Sequence, residues 1–491
     1  MKTKISVKTE NISFQIDAEI GEPLKDVLKR LDLHIDLPCG GRGTCKRCIV
    51  SICGQEYQIC KTSVFDGMEV ELLQTEKYEQ IIAGTAGAVR NEQRSHGSMF
   101  KRYGLSVDIG TTTLCVSLLN VGGKISTITR KNPQTFFGAD VISRIEWAQS
   151  GKSEELAGCI RSALSEMSEE LCLEFHLRPD EIDAAVLTGN SAMLYLLMGY
   201  NPDALSHAPF QADRLFGEFV EAEKLNLPFS RQAKVYLPRC VSAFVGADIT
   251  TAILAADMCQ SGKTILLADI GTNGEIVLWH KDRLLCCSTA AGPAFEGVGI
   301  TCGTYGVRGA IDHIWAEDGH IQRSTIGEAP AVGICGSGIV DAAAVMLKLG
   351  IIDETGAFQD TSGTLALDDH IAVYAKDIRQ IQLAKGAVRA GIETLLDTAG
   401  IRKEVVETFF IAGGFGGYMK LDNAAAIGLI PEELRHCAVL IGNAAHSGAT
   451  MLLQNKSLVP LSEDIARNAD TIRLEANPVF TEHYMTCMMF E

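Results

Sequence analysis

The chain has 491 residues, 46% of them apolar and 21% charged, with a formal net charge of −17. That leaves room for about three domains with ordinary cores, and argues against wholesale disorder. The acidic balance argues against non-specific nucleic-acid binding, which needs clustered Lys and Arg to neutralise phosphates.

The first seventeen residues alternate polar and apolar side chains with no apolar h-region, so no secretory signal is expected. No run of about 18 apolar residues occurs, so no membrane-spanning helix is expected either. The 16 cysteines are then read as metal ligands and buried thiols in a reducing, cytoplasmic setting rather than as disulfides.

Residues 1–75 read as a compact β-rich unit. Lys4–Val7 and Ile12–Ile16 alternate like a hairpin across Glu10-Asn11. Leu24, Val27, Leu28 and Leu31 recur at helical spacing within Glu22–Leu31. Strands are predicted at Ile49–Ile52 and Met68–Leu73, which with one packed helix is the β-grasp pattern.

Between them lies Cys39-Gly-Gly-Arg-Gly-Thr-Cys45-Lys-Arg-Cys48, followed by Cys53 and Cys60. A cluster with bridging sulfides is anionic, so backbone N–H groups must turn toward it. Gly40, Gly41 and Gly43 permit the required conformations. The spacing resembles that of adrenodoxin-like ferredoxins and implies a [2Fe–2S] cluster on Cys39, Cys45, Cys48 and a fourth ligand. Cys60 is preferred over Cys53 for that place. A structural zinc site is the rival, but zinc usually takes paired C-x₂-C hooks and only one hook is present.

Residues 76–102 mix charges with Gly and Ser without strong periodicity, and read as a flexible linker. From Tyr103 onward strands and helices alternate, which indicates an α/β fold over 103–491. Leu156, Ile160, Leu164, Met167, Leu171 and Phe175 mark the core stripe of one helix. Asp108-Ile-Gly110-Thr111-Thr112 recurs as Asp269-Ile-Gly271-Thr272-Asn273, each copy ending an apolar strand. The repeat suggests two related halves, the second beginning at about 262.

Each turn offers backbone N–H groups and hydroxyls to phosphate oxygens. Each aspartate, Asp108 and Asp269, suits a hydrated Mg²⁺. Phe409-Phe-Ile-Ala-Gly413-Gly414-Phe-Gly416-Gly417 runs an apolar strand into glycines that let the backbone approach a nucleoside. Phe244–Asp248 and Cys335-Gly336-Ser337-Gly338 each open a helix.

In this order the five elements resemble the actin, heat-shock-70 and sugar-kinase superfamily. That implies two ribonuclease H-like lobes closing over ATP with Mg²⁺. It assigns Thr111, Thr112, Thr272 and Asn273 to phosphates, and Asp108 and Asp269 to Mg²⁺ or water. Gly413, Gly414 and Gly416 would flank the nucleoside, and Gly336 and Ser337 line the cleft. Lys385 is a candidate to reach the nucleotide, against a plain reading as a solvated helix lysine. Asp140 and Glu296 are cleft residues or structural caps, with Asp140 read as structural.

A ferredoxin-like unit fused to such an ATPase resembles the reductive activators of corrinoid proteins, including O-demethylase activating enzymes. Asn132–Arg144, Leu187–Asn190, Gly292–Gly297, Ile378–Lys385 and Ile411–Pro431 resemble the same family. Some members carry an extra domain where only about 27 linker residues stand here. The resemblance implies ATP-dependent reduction of a cob(II)alamin-bearing corrinoid protein of a methyltransferase system to cob(I)alamin, one electron at a time. It implies a low-potential electron donor as a second partner, and an exposed sheet or lobe surface is compatible with a homodimer. The alternatives are an ATP-driven electron injector for another low-potential enzyme, and a small-molecule kinase with a fused redox domain.

Overall fold

The computed structural model describes residues 2–8, 13–30, 48–53, 55–71, 97–138, 140–414 and 418–490. In the N-terminal zone, β1 (Lys2–Lys8) and β2 (Ser13–Glu19) pair antiparallel, as their alternation predicts. Thr3, Ile5 and Val7 fall on the buried face of β1, because successive strand residues point to opposite faces. Leu24, Val27 and Leu28 lie within one helix, Leu24–Lys29, and are fully buried. β3 (Ile49–Ile52), β4 (Gln55–Gln58) and β5 (Glu69–Glu71) complete a sheet of order β2-β1-β5-β3-β4 with β1 and β5 parallel. The turn expected at Glu10-Asn11 and the first two cysteines of the loop, Cys39 and Cys45, lie outside the described residues.

The first lobe is a six-stranded sheet. β6 (Tyr103–Ile109), β7 (Thr113–Asn120) and β8 (Gly123–Lys131) form an antiparallel meander. β9 (Ile182–Gly189) joins β6 in parallel, β11 (Lys234–Leu237) joins β9, and β10 (Glu218–Glu221) closes the edge. β6 and β9 are buried on both faces, and their near-continuous apolar sequences match that burial. The Ser153–Glu174 helix buries Leu156, Ile160, Leu164, Met167 and Leu171, the stripe its spacing predicts.

The second lobe repeats the plan. β12 (Ile265–Ile270), β13 (Gly274–His280) and β14 (Arg283–Thr289) form the meander. Between meander and return strands the chain builds β15 (Ala310–Glu317), β16 (His320–Thr325) and β17 (Gly333–Ile334), then the β18–β19 pair (Thr364–Ala366 and Ala372–Tyr374). β20 (Thr408–Ala412) and β21 (Ala438–Gly442) add in parallel beside β12, and β22 (Ala469–Thr471) beside β14. In both lobes the Asp-Ile-Gly-Thr turn thus joins the first two strands of a meander, next to a parallel strand. The five strands the lobes share (β11-β9-β6-β7-β8 and β21-β20-β12-β13-β14) place the two turns at equivalent corners, while the sixth strand joins opposite edges.

Two helices, Ala247–Ala255 and Ala444–Gln454, cross between the lobes. They pack close: a Cβ on Gly448 would stand 1.9 Å from the Thr251 carbonyl oxygen. Their contact belongs to a core that takes Tyr236 and Val186 from the first lobe and Val277 and Cys286 from the second.

The linker assignment needs one correction. Residues 97–102 are built into this body: Phe100 is buried beside Leu453, Met99 N–H donates to the Leu453 carbonyl (2.9 Å), and Lys456 N–H donates to the Gly97 carbonyl (2.9 Å). A single aromatic among charges gives no periodic signal, so the sequence does not reveal its burial. Among the described residues no helix is long and apolar enough to cross a membrane.

Candidate functional site

A cavity of about 340 Å³ opens between the lobes; the first predicted loop lines it, and the second reaches it through Ile270, with Asp269, Gly271, Thr272 and Asn273 set back from it. In the first loop Gly110 N–H donates to the Thr113 carbonyl (2.9 Å). A Cβ on Gly110 would sit 2.8 Å from that same oxygen, so the turn needs glycine there. In the second loop Gly271 N–H donates to the Asn273 carbonyl (3.0 Å). Thr111, Thr112 and Asp108 line the cavity from the first lobe, and Glu296, Gly336, Ser337 and Gly414 from the second. Thr272 meets them: its hydroxyl lies 3.3 Å from that of Thr112.

Glu296 ties the two loops together. It ends a tight turn, Pro293–Glu296, whose Phe295 side chain is fully buried. Its Oε2 accepts hydrogen bonds from Thr112 Oγ1 (2.5 Å) and Thr272 Oγ1 (2.9 Å). Glu296 is therefore a cleft residue. Asp140 is a cap, as read from the sequence: its Oδ1 accepts the Ser143 N–H at the start of the Val141–Trp147 helix (2.8 Å).

Asp108, Glu296 and Asp312 are the acidic side chains that line the cavity, and Asp269, Asp248 and Glu275 are buried or half-buried without bordering it. Burial raises Asp108 to about 6, opposed by the hydrogen bond from Asn443 Nδ2 (2.7 Å). Burial raises Asp269 to about 7, with the charges of Asp108 and Glu296 adding to it. Asp248, at the start of the Ala247–Ala255 helix, is pushed to about 8 by burial and then by Asp108 and Asp269. Glu275 is also driven well up, by burial and then by Asp248 and Asp269. None of the described residues lining the cavity is Lys or Arg. Hard carboxylate oxygens of this kind suit a Mg²⁺ ion, which takes one or two carboxylates and keeps its waters. They suit an anion only if such a cation accompanies it.

The first loop is buttressed by residues to which the sequence reading gave no role. Asn132 Nδ2 donates to the Gly110 carbonyl (2.8 Å) and its N–H to the Thr112 carbonyl (2.8 Å). Asn190 Nδ2 donates to Thr111 Oγ1 (3.0 Å). Arg144, fully buried, donates to the Thr111 and Gly138 carbonyls. Burial lowers its guanidinium to about 10. Asn132 before Pro and Asn190 before Ser carry helix-capping signals that the sequence does display. Their second bonds, to the loop, it does not.

Gly413, expected beside the nucleoside, has φ +115°, and a Cβ there would meet the Ile270 carbonyl oxygen at 2.3 Å; it does not border the cavity, whereas Gly414 does. Gly416 lies outside the described residues. Lys385 departs from expectation. It is fully buried in the Ala375–Ala399 helix, its ammonium donates to the Met489 carbonyl, and it stands 5.4 Å from the Phe490 ring centre. It does not border the cavity. A lysine on an amphipathic helix looks solvated until the C-terminal segment is seen to cover it.

In the N-terminal unit Cys48 Sγ and Cys60 Sγ are 3.2 Å apart, and both side chains border the same core. A disulfide would require about 2.05 Å. Cys53 lies apart in the β3–β4 turn, exposed, with φ +49°.

Comparison with known proteins places this geometry in context. Residues 103–261 match the family description "RACo middle region", and residues 263–491 match "C-terminal domain of RACo the ASKHA domain". The chain is 29% identical to the corrinoid activation enzyme RamQ of Eubacterium limosum, over 97% of each chain. It is 26% identical to the Methanosarcina barkeri Co(II) methylated amine-specific corrinoid protein reductase, over 78% of this chain and 76% of that one. Among solved structures it resembles a reductive activator for a corrinoid, iron–sulfur protein, with a TM-score of 0.74 and 25% identity over 99% and 98% of the two chains.

Proposed function

Because the chain belongs to the RACo family, its middle-region and ASKHA matches together spanning nearly all of 103–491, we propose that it is an ATP-dependent reductive activator of a corrinoid protein. It returns Co(II) corrinoid to Co(I), the state that accepts a methyl group. The observation that carries the reading is the presence in one chain of facing phosphate loops and of paired thiols, Cys48 and Cys60, 3.2 Å apart.

Each half has a chemical task. Thr111, Thr112, Thr272 and Asn273 present hydroxyl and amide donors to the phosphates. Asp108 and Asp269 would hold Mg²⁺ or its waters, bringing positive charge that the described lining residues lack. Gly413 and Gly414 let the backbone approach the nucleoside. In the small unit, soft thiolates suit iron–sulfur ligation. Cys48 and Cys60, with Cys39 and Cys45, hold a [2Fe–2S] cluster in a ferredoxin-like β-grasp fold, and the cluster supplies one-electron transfer. Because the two phosphate loops come from different lobes, nucleotide bound between them fixes lobe closure, and closure is what the corrinoid partner reads.

The test is anaerobic mixing of the purified chain with a cob(II)alamin-bearing corrinoid protein of a methyltransferase system and a low-potential reductant, followed optically. Cob(I)alamin should accumulate with Mg-ATP and not with Mg-ADP. Equal accumulation without nucleotide would sink the proposal.

A further inference from the structure

The Glu296 carboxylate occupies a place that its neighbours suit to a phosphate. A threonine hydroxyl has one proton to donate. Thr112 and Thr272 both direct theirs at the same oxygen, Glu296 Oε2, at 2.5 and 2.9 Å. A phosphate oxygen, like a carboxylate oxygen, only accepts. The two hydroxyls therefore cannot serve Glu296 and a terminal phosphate together, and two anions this close repel.

We propose that Glu296 is a positioning residue that stands in for the terminal phosphate, holding the two loops together across the cleft until nucleotide displaces it. Thr112 belongs to the first lobe, and Glu296 and Thr272 to the second, so the carboxylate makes a bridge between lobes. When the terminal phosphate enters, it takes over both hydroxyls and becomes the bridge. The turn is shaped for this exchange. Gly292 and Gly297 bracket it at φ +79° and +77°. A nucleotide without terminal phosphates has no reason to disturb Glu296, and Glu296 therefore sets selectivity among nucleotides.

The inference rests on the nucleotide reading above, and one titration separates the two. Calorimetry on the full-length chain would compare Mg²⁺ with β,γ-imido-ATP against AMP, for wild type, Glu296→Gln and Glu296→Asp. Loss of the competing charge in Glu296→Gln should tighten the imido-ATP complex about fivefold or more, with AMP affinity unchanged. Glu296→Asp keeps the charge but is one methylene shorter, so it releases at least one hydroxyl and should fall between the two. Its result stands if Glu296→Gln does not fold. Imido-ATP binding that is unchanged or weaker in the folded variants overturns the stand-in role while leaving the nucleotide site in place. A wild-type chain that binds neither ligand overturns both.

Discussion

His446 shows how a buried side chain ties the cleft to solution conditions. It lies in the helix that Asn443 caps, and its Nε2 is 3.2 Å from Ser106 Oγ in the first lobe. Burial first, and the charge of Lys124 second, lower it from 6.5 to about 4. The unfolded chain then binds a proton that the fold refuses. Stability from this group is full above about pH 6.5 and is lost as pH falls toward 4, by about 3 kcal/mol. The raised aspartates act in the opposite sense: protonation favours the fold, so their contribution fades as pH rises through about 6 for Asp108, 7 for Asp269 and 8 for Asp248. Urea unfolding of wild type and His446→Gln between pH 4 and 7 isolates the histidine. The variant should lack the acid loss of about 3 kcal/mol, and parallel curves would refute the assignment. The cysteines give a second residue-scale test. Cys60→Ser should lose the visible bands and bound iron of the purified chain, while Cys53→Ser, altered only at an exposed turn, should keep both.

At the scale of elements, the crossing of the Ala247–Ala255 and Ala444–Gln454 helices holds the lobes in register. Gly448 makes that crossing possible. Gly448→Ala would drive a methyl against the Thr251 carbonyl oxygen, now 1.9 Å from the ideal Cβ position. Overpacking against backbone that cannot yield costs about 3 kcal/mol. The loss should appear in the denaturation midpoint of the two-lobed body, and a variant as stable as wild type would show that the helices slide freely. The elements also show what a sequence displays. The duplicated turns were legible because each is local: aspartate, glycine and threonine act within a few positions. The buttresses were not. Asn443 reaches Asp108, Asn190 reaches Thr111, and Glu296 reaches Thr112, all across long stretches of chain. Such bonds depend on topology that no single segment encodes. Lys385 departs for the same reason, since the Met489 carbonyl that accepts its hydrogen bond lies at the far end of the chain.

At the scale of the whole molecule, two lobes with a common five-strand core share a cleft whose walls bring donors and carboxylates but no lysine or arginine among the described lining residues. On the proposed reading, nucleotide and Mg²⁺ enter as a pair, and their joint charge is what the lobes close upon. The N-terminal thiols lie in a separate core with its own sheet. The central claim is that electron delivery depends on the cleft although the electron carrier lies outside it. Asp269→Asn tests this most directly, by stopped-flow measurement of cob(I)alamin formation with Mg-ATP beside the optical spectrum of the chain itself. The account predicts an unchanged cluster spectrum and cob(I)alamin formation slowed about a hundredfold, toward the nucleotide-free rate. Formation at the wild-type rate, with ATP hydrolysis abolished, would contradict it.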